Sequence, residues 1–486
     1  MLGSGSSVKL YLPCPMNKSN YLLLPFFLGA SLSAFCASVN VFDEDDALVA
    51  SGDTISSVAG DLDGTTAIIS ANLTETAISK FTGSVTVSLQ ASANSGVSIS
   101  GDIAKTQATQ NCIFSQEGDK KTLTLNLDNL TLSNANGYVV CGVNVVLNGE
   151  NAVFSGCNNP GDGSAKVGQG GVIRTTGNSN NSMSSAGTVT ISGTNTFENN
   201  AAMKGGAIYA AKSVTFSGAN SKAVFRGNTM SGDDSGLAVN LAGKNDIWIG
   251  GSNAGGVTIK DAGTYIFDGG IRLASTSAGK LAVSKGASVT FEGAAVNIIS
   301  NTTSIVGAGV RFENAGGSNA LMRDIQINKD GVLTIAEGAQ IKMGTSGMEV
   351  ELNATSEGSV LNIELCDAYS ADGGYAAILG VEDGTNTLNA PMITLSATET
   401  YVLDLVLENA GVYAYKLIDT ATVSAALTKE SFELSDAWRS WEVADYSDGV
   451  VTLSYIPEPS AFAFLVGLSA LVLAGTRRRR LFDREA

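Results

Sequence analysis

Histidine is absent from the 486 residues, and only 7 of them are proline. Without an imidazole the chain cannot build a Ser–His–Asp triad or a Cys/His zinc centre, and no side chain of ordinary pKa titrates near neutrality. Few prolines beside a 44% hydrophobic fraction exclude a Pro-rich disordered scaffold. Charge is scarce as well, at 15%, and it is uneven, with 29 basic against 46 acidic groups. Much of the basic share sits at the two ends. Residues 1–36 carry two lysines and no acid and residues 458–486 carry five arginines, so the body keeps 22 basic against 43 acidic groups, near −21. That field repels phosphate backbones, so nucleic acid is not an expected partner. No glycine loop ending in Lys-Ser/Thr is present to cradle a nucleotide phosphate.

Cysteine is sparse. Beyond the first 36 residues only Cys112, Cys141, Cys157 and Cys366 remain. An even number permits two disulfides with three pairings in an oxidising compartment. Cys141 with Cys157 is the expected pair, because the two flank the segment Asn144 to Ala152 and stacked repeat units would bring them close.

Glycine, at 56 residues, is plentiful, and it punctuates short runs of alternating apolar and polar residues. Thr122 to Leu127 alternates Thr and Asn with Leu, and Val85 to Leu89 alternates Val and Leu with Thr and Ser. Similar pieces occur at Val143 to Leu147, Thr188 to Ile191, Ser213 to Phe216, Val257 to Ile259, Thr264 to Phe267, Ser288 to Phe291 and Val332 to Ile335. Runs of this length and period are strands with one buried face, and none can bury that face alone. Stacked strand upon strand they share one continuous core, the logic of a solenoid. From about Leu352 the runs lengthen. Tyr401 to Leu407 and Gly411 to Ile418 are expected strands, Lys429 to Trp441 is expected to hold one short helix, and Val450 to Tyr455 is a last strand.

Internal repetition supports stacking. Phe197-Glu198-Asn199-Asn200 precedes Gly205-Gly206-Ala207-Ile208, and Phe-x-x-Asn returns at Phe225 and Asn228. A degenerate earlier copy has Phe154 and Asn158, then Gly170-Gly171-Val172-Ile173, whereas Phe312 is followed at the fourth position by Ala315. Phe fills an interior, Asn bonds backbone at a turn and Gly-Gly admits a tight corner, so these residues mark structure, not catalysis. The paired tetrapeptides over residues 150 to 230 resemble the repeats of chlamydial polymorphic outer-membrane proteins and other autotransporter passengers. That resemblance implies a right-handed parallel β-helix and an adhesive role. Autotransporters end in a membrane β-barrel of many strands; this chain ends otherwise, so self-transport is not implied.

The C-terminus reads Pro457-Glu458-Pro459, then an uncharged apolar run from Ala461 to Gly475, then Arg477, Arg478, Arg479 and Arg480. As a helix the run is about 22 Å long, short of the roughly 30 Å of a hydrocarbon core. The arginines keep that end cytoplasmic and place everything before Pro457 across the membrane. The two prolines hold the backbone extended, a conformation open to a processing enzyme. This order of parts resembles the PEP-CTERM sorting signal, which implies an exosortase-like enzyme as partner and hand-over of the body to the cell surface or matrix. At the other end Lys18, the apolar stretch Tyr21 to Leu32 and the small residues to Ser38 have the layout of a secretory signal peptide, with Met16 as an alternative start.

The expected organisation is a signal peptide over 1–37, a parallel β-helix over 38–354, a C-terminal β cap over 355–456, and the sorting signal over 457–480 with a transmembrane helix at 461–475. An exported structural or adhesin-like protein without catalytic residues, cofactor or metal is expected. Its partners are then the export machinery, the inner membrane before processing, and extracellular polysaccharide or a host or cell surface, engaged through loops such as Pro160 to Val167 and Asn178 to Ser185. The alternative is a β-helix polysaccharide lyase or glycoside hydrolase resting on carboxylates. Candidate acids for it are Asp233 with Asp234, Asp261 with Asp268, and Asp324 with Asp330. Asp61, Asp63 and the acidic run Asp43 to Asp46 echo a calcium loop but lack its spaced glutamate.

Overall fold

The computed structural model describes residues 37–456 except 93–96, 104–111, 119, 160–167, 176–186, 232–242, 251–254, 274–278, 294–296, 300–301, 314–317, 322–323, 345–348, 374, 383 and 410. The signal peptide up to residue 36, Pro457 to Pro459, the run 461–475, Arg477 to Arg480, the two loops named above and Asp233-Asp234 lie outside the described residues. No described helix is long and apolar enough to cross a membrane.

The alternating runs form strands at the expected places, including Thr122–Asp128, Ser213–Phe216 and Val332–Ile335. Among the described residues they join a 26-stranded sheet, an 11-stranded sheet and two three-stranded sheets, so the chain is all-β with large parallel sheets. Three ladders recur in constant order. Thr122–Asp128, Leu130–Asn134 and Tyr138–Gly142 follow one another along the chain. They pair in parallel with Asn144 to Glu150, with Val153 and Phe154, and with Ile173 to Thr175. Ser213–Phe216, Ser221–Arg226 and Ile247–Ile249 repeat the order, and Gly256–Ile259, Gly263–Phe267 and Ile271–Leu273 repeat it again. Asparagines make several of the corners: Asn129, Asn151 and Asn199 all have positive φ, a region that Asn tolerates better than other residues with a Cβ.

Every second side chain of a strand points inward, and parallel register places like on like. Phe154, Phe197, Phe225, Phe267, Phe291 and Phe312 pair in turn along the second ladder. Their rings stack with centroids 4.6 to 5.4 Å apart, and the column continues as Ile335, Ile363, Leu395 and Leu434. Phe312 joins it although its tetrapeptide is broken, because the ring's partner is set by register and not by the residue three places on.

Antiparallel pairing occurs near both ends of the described residues. Val39–Phe42 lies between Leu48–Gly52 and Thr66–Ile69, and Val450–Tyr455 lies between Val412–Lys416 and Trp441–Ser447. Parallel pairing does not stop near residue 354; it continues through Val360–Glu364 and Ile393–Ser396 to Phe432–Leu434.

Two local expectations fail. Tyr401 to Leu407 is not a strand but part of the helix Glu399–Asn409. Its buried Val402 and Leu405 are three apart while Leu403 and Leu407 are 55% and 73% exposed, a helical face that an apolar run hides from inspection. Thr398 begins it, its hydroxyl accepting the Tyr401 N–H at 3.3 Å. Lys429 to Trp441 holds two 3₁₀ turns, Lys429–Ser431 and Asp436–Trp438, either side of a strand, and not one helix.

Candidate functional site

The repeat residues build an interior polar row. Asn200 Oδ1 accepts the Cys157 N–H at 3.0 Å, and its Nδ2 donates to the Phe154 carbonyl at 3.1 Å and to Asn228 Oδ1 at 3.0 Å. Asn228 repeats the geometry one unit on, donating to the Phe197 carbonyl at 3.0 Å and to Asp246 Oδ1 at 2.9 Å. Asp246 ends the row, its Oδ2 accepting the Gly269 N–H at 2.7 Å. All three side chains are buried. Burial pushes the Asp246 carboxyl up to about 7 in spite of the hydrogen bonds from Asn228 and Gly269. Sequence reasoning missed Asp246, since its role appears only when register sets it against Asn228.

Gly205 and Gly206 turn the chain beside this row. Gly205 has φ +65°, and a Cβ on Gly206 would lie 2.6 Å from the Asn245 carbonyl oxygen and 2.7 Å from the Thr229 backbone nitrogen. Ile208, just after, pairs with Ile173 and Ile247 in the core.

The described candidate acids are each tied to a turn or to backbone. Asp261 accepts the Gly218 N–H at 2.9 Å. Asp268 accepts the Gly227 N–H at 3.0 Å and pairs with Lys244 at 2.8 Å, bonds that hold it below the usual carboxylate range against the effect of burial. Asp324 accepts the Glu351 N–H at 3.1 Å, and Asp330 occupies a positive-φ turn. Asp63 accepts the Thr86 N–H at 3.0 Å, while Asp43 closes its own turn on Asp45 and Ala47. Among the described residues no three Asp, Glu, Cys or His side chains gather as a metal site.

Among the described residues an ordered polar row crosses the first ladder on its outer face. Ser88, Asn126, Asn148 and Ser192 are in register across four strands of the first ladder. Asn126 donates to Ser88 at 2.9 Å, Asn148 donates to Asn126 at 2.8 Å, and Ser192 donates to Asn148 at 2.5 Å. Beside the row, where the strand Asn144–Ser155 bends into the second ladder, lies an open cleft of about 300 Å³ flanked by Gln90, Asp128 and Glu150. A second row lies on the 11-stranded sheet, where Cys141, Arg174, Tyr209, Trp248 and Arg272 are in register. Arg272 stacks 3.7 Å from the Trp248 ring centroid, and burial brings its guanidinium down to about 10.

The expected Cys141–Cys157 pair is not formed. Cys157 is buried in the main core with the Phe column, whereas Cys141 belongs to a separate cluster with Cys112 and Tyr138 on the 11-stranded sheet. Sequence nearness misled because Cys141 lies in a strand of the third ladder and Cys157 follows the end of the second, on different faces of the chain's path.

Compared with family models, with curated proteins and with solved structures, the chain gives no match.

Proposed function

We propose that this chain is an exported right-handed parallel β-helix that serves as a structural or adhesive element of a cell surface or extracellular matrix, reached through its PEP-CTERM-like C-terminus. Three ladders visited in constant order support the solenoid, and the right hand follows from the general chirality of parallel strand crossovers. The observation that carries the role is the Ser88–Asn126–Asn148–Ser192 row. Amides and hydroxyls repeated at strand spacing, about 4.8 Å, meet a long polar ligand such as a polysaccharide along its length and not at one bond. A non-catalytic surface is further supported by Asp261, Asp268 and Asp324, each engaged by a backbone N–H. An exosortase-like enzyme acting near Pro457 to Pro459, with Arg477 to Arg480 retained on the cytoplasmic side, completes the delivery.

The test is the C-terminal mass and cell fraction of the native protein against a variant in which Pro457, Glu458 and Pro459 are all Ala. Shortening near residue 457 with release to the surface, lost in the variant, is the expected result. Full-length protein in the membrane for both would reduce the C-terminus to a plain anchor and overturn the sorting proposal.

A further inference from the structure

We infer that Cys112 and Cys141 form a redox site that closes into a disulfide stapling two neighbouring turns of the ladder. Cys112 opens the strand Cys112–Gln116, which pairs in parallel with Tyr138–Gly142 in the register Cys112 to Tyr138 and Ser115 to Cys141. Strict alternation over three residues would put Tyr138 and Cys141 on opposite faces. A bulge prevents this: the N–H groups of Val139 and Val140 both donate to the Val172 carbonyl, at 2.9 and 3.0 Å. The phase shift leaves Val139 and Val140 in the main core and brings Tyr138 and Cys141 together with Cys112 in a cluster of their own. There the two thiols are in direct hydrogen-bond contact with each other.

Their surroundings divide the chemistry between them. Arg174 is in register with Cys141, donates to Tyr138 Oη at 3.3 Å and lies 6.0 Å from the Tyr138 ring centroid. The hydrogen bond from Cys112, opposed by burial and aided by Arg174 and Tyr138, brings the Cys141 thiol below its usual value. Burial, then the Cys141 neighbour, pushes Cys112 well above it. Arg174, in register beside Cys141 on the neighbouring strand, stabilises its thiolate, so Cys141 is the attacking thiolate and Cys112 the thiol that resolves the intermediate. Cys157 has no such help: burial pushes it up to about 12, and Cys366 is also raised by burial.

The oxidant is a disulfide of the thiol-exchange class, reaching the pair during folding or local opening. Cys141 thiolate attacks one of its sulfurs, forming a mixed disulfide and expelling the first thiolate, which takes up a proton. Cys112 then loses its proton, attacks Cys141 Sγ and expels the second. Two protons and two electrons pass from the cysteines to the oxidant, which leaves as two thiols.

The experiment uses the full chain, purified under reductant and then held in oxidised glutathione, with thiols alkylated before and after and located by peptide mapping. The outcome is independent of whether the protein is exported. Expected are a Cys112–Cys141 linked peptide, a mass lower by two hydrogens, and Cys157 still a thiol. The linkage should persist in Cys157→Ala, and Cys112→Ser should leave glutathione attached at Cys141. Linkage of Cys141 to Cys157, or alkylation of both Cys112 and Cys141 after oxidation of the wild-type chain, would overturn the assignment.

Discussion

Replacing Asp246 by Asn should remove a pH dependence of stability that the buried end of the asparagine row imposes. The native carboxyl titrates at about 7 against an ordinary 3.8, a displacement of about three units caused mainly by burial, with Asp268 raising it further and Lys244 opposing it. At about 1.4 kcal/mol per unit this amounts to about 4 kcal/mol. The folded chain holds the proton more tightly than the unfolded chain, so unfolding between these pKa values releases it and rising pH favours unfolding. The contribution is complete below the ordinary carboxylate value, fades as pH rises to about 7, and is constant above it. Urea unfolding of wild type and Asp246→Asn at about pH 4 and about pH 8 measures this directly. The other acids contribute equally to both proteins, so the difference between the two curves isolates Asp246. An amide keeps only one of the two acceptors and sets its NH2 against either Asn228 Nδ2 or the Gly269 N–H, which lowers the variant by about 1 kcal/mol at every pH. Wild type should therefore lose about 4 kcal/mol more than the variant across the range. Parallel curves would refute the reasoning, because the carboxyl would then be solvated or ionised in the fold.

Phe225→Ala opens a gap between Phe197 at 4.6 Å and Phe267 at 5.0 Å, and should cost about 3–5 kcal/mol in urea unfolding, with Phe225→Leu losing far less. Gly206→Ala drives a methyl against backbone atoms of Asn245 and Thr229 that cannot yield, so a loss of at least about 2 kcal/mol is expected by the same measurement. Asn126→Ala with Asn148→Ala removes three part-buried hydrogen bonds on the outer face, so unfolding should shift by about 3 kcal/mol or less. Retention of that double variant on matrix polysaccharide should nevertheless fall several-fold; unchanged retention would move the binding face elsewhere.

The strands were legible because alternation is a local property. Leu123, Leu125 and Leu127 announce their buried face without reference to any partner, and all three are buried in the structure. The interior use of Phe197 and Phe225 was legible for the same reason, whereas Asn200 and Asn228, expected at turns, are buried and bond both backbone and each other. The helix Glu399–Asn409 was not legible, since an aliphatic run satisfies two periods at once and only the packing of Val402 and Leu405 selects one. The Asp246 terminus and the Cys112–Cys141 cluster escaped because they depend on which residues face each other across a ladder.

The sequence by itself determined that strands are short and one-sided, that the repeated phenylalanines go inward while asparagines mark corners, and that the body carries an excess of acid between two differently built ends. Only the tertiary structure decided who meets whom. The chain needs 43 residues to pass from Cys157 to Asn200 and 28 from there to Asn228, yet each step advances one ladder position. Loops of such unequal length leave spacing uninformative about register. Backbone hydrogen bonds, a bulge at Val139 and Val140, and the stacking of one phenylalanine on the next set it instead.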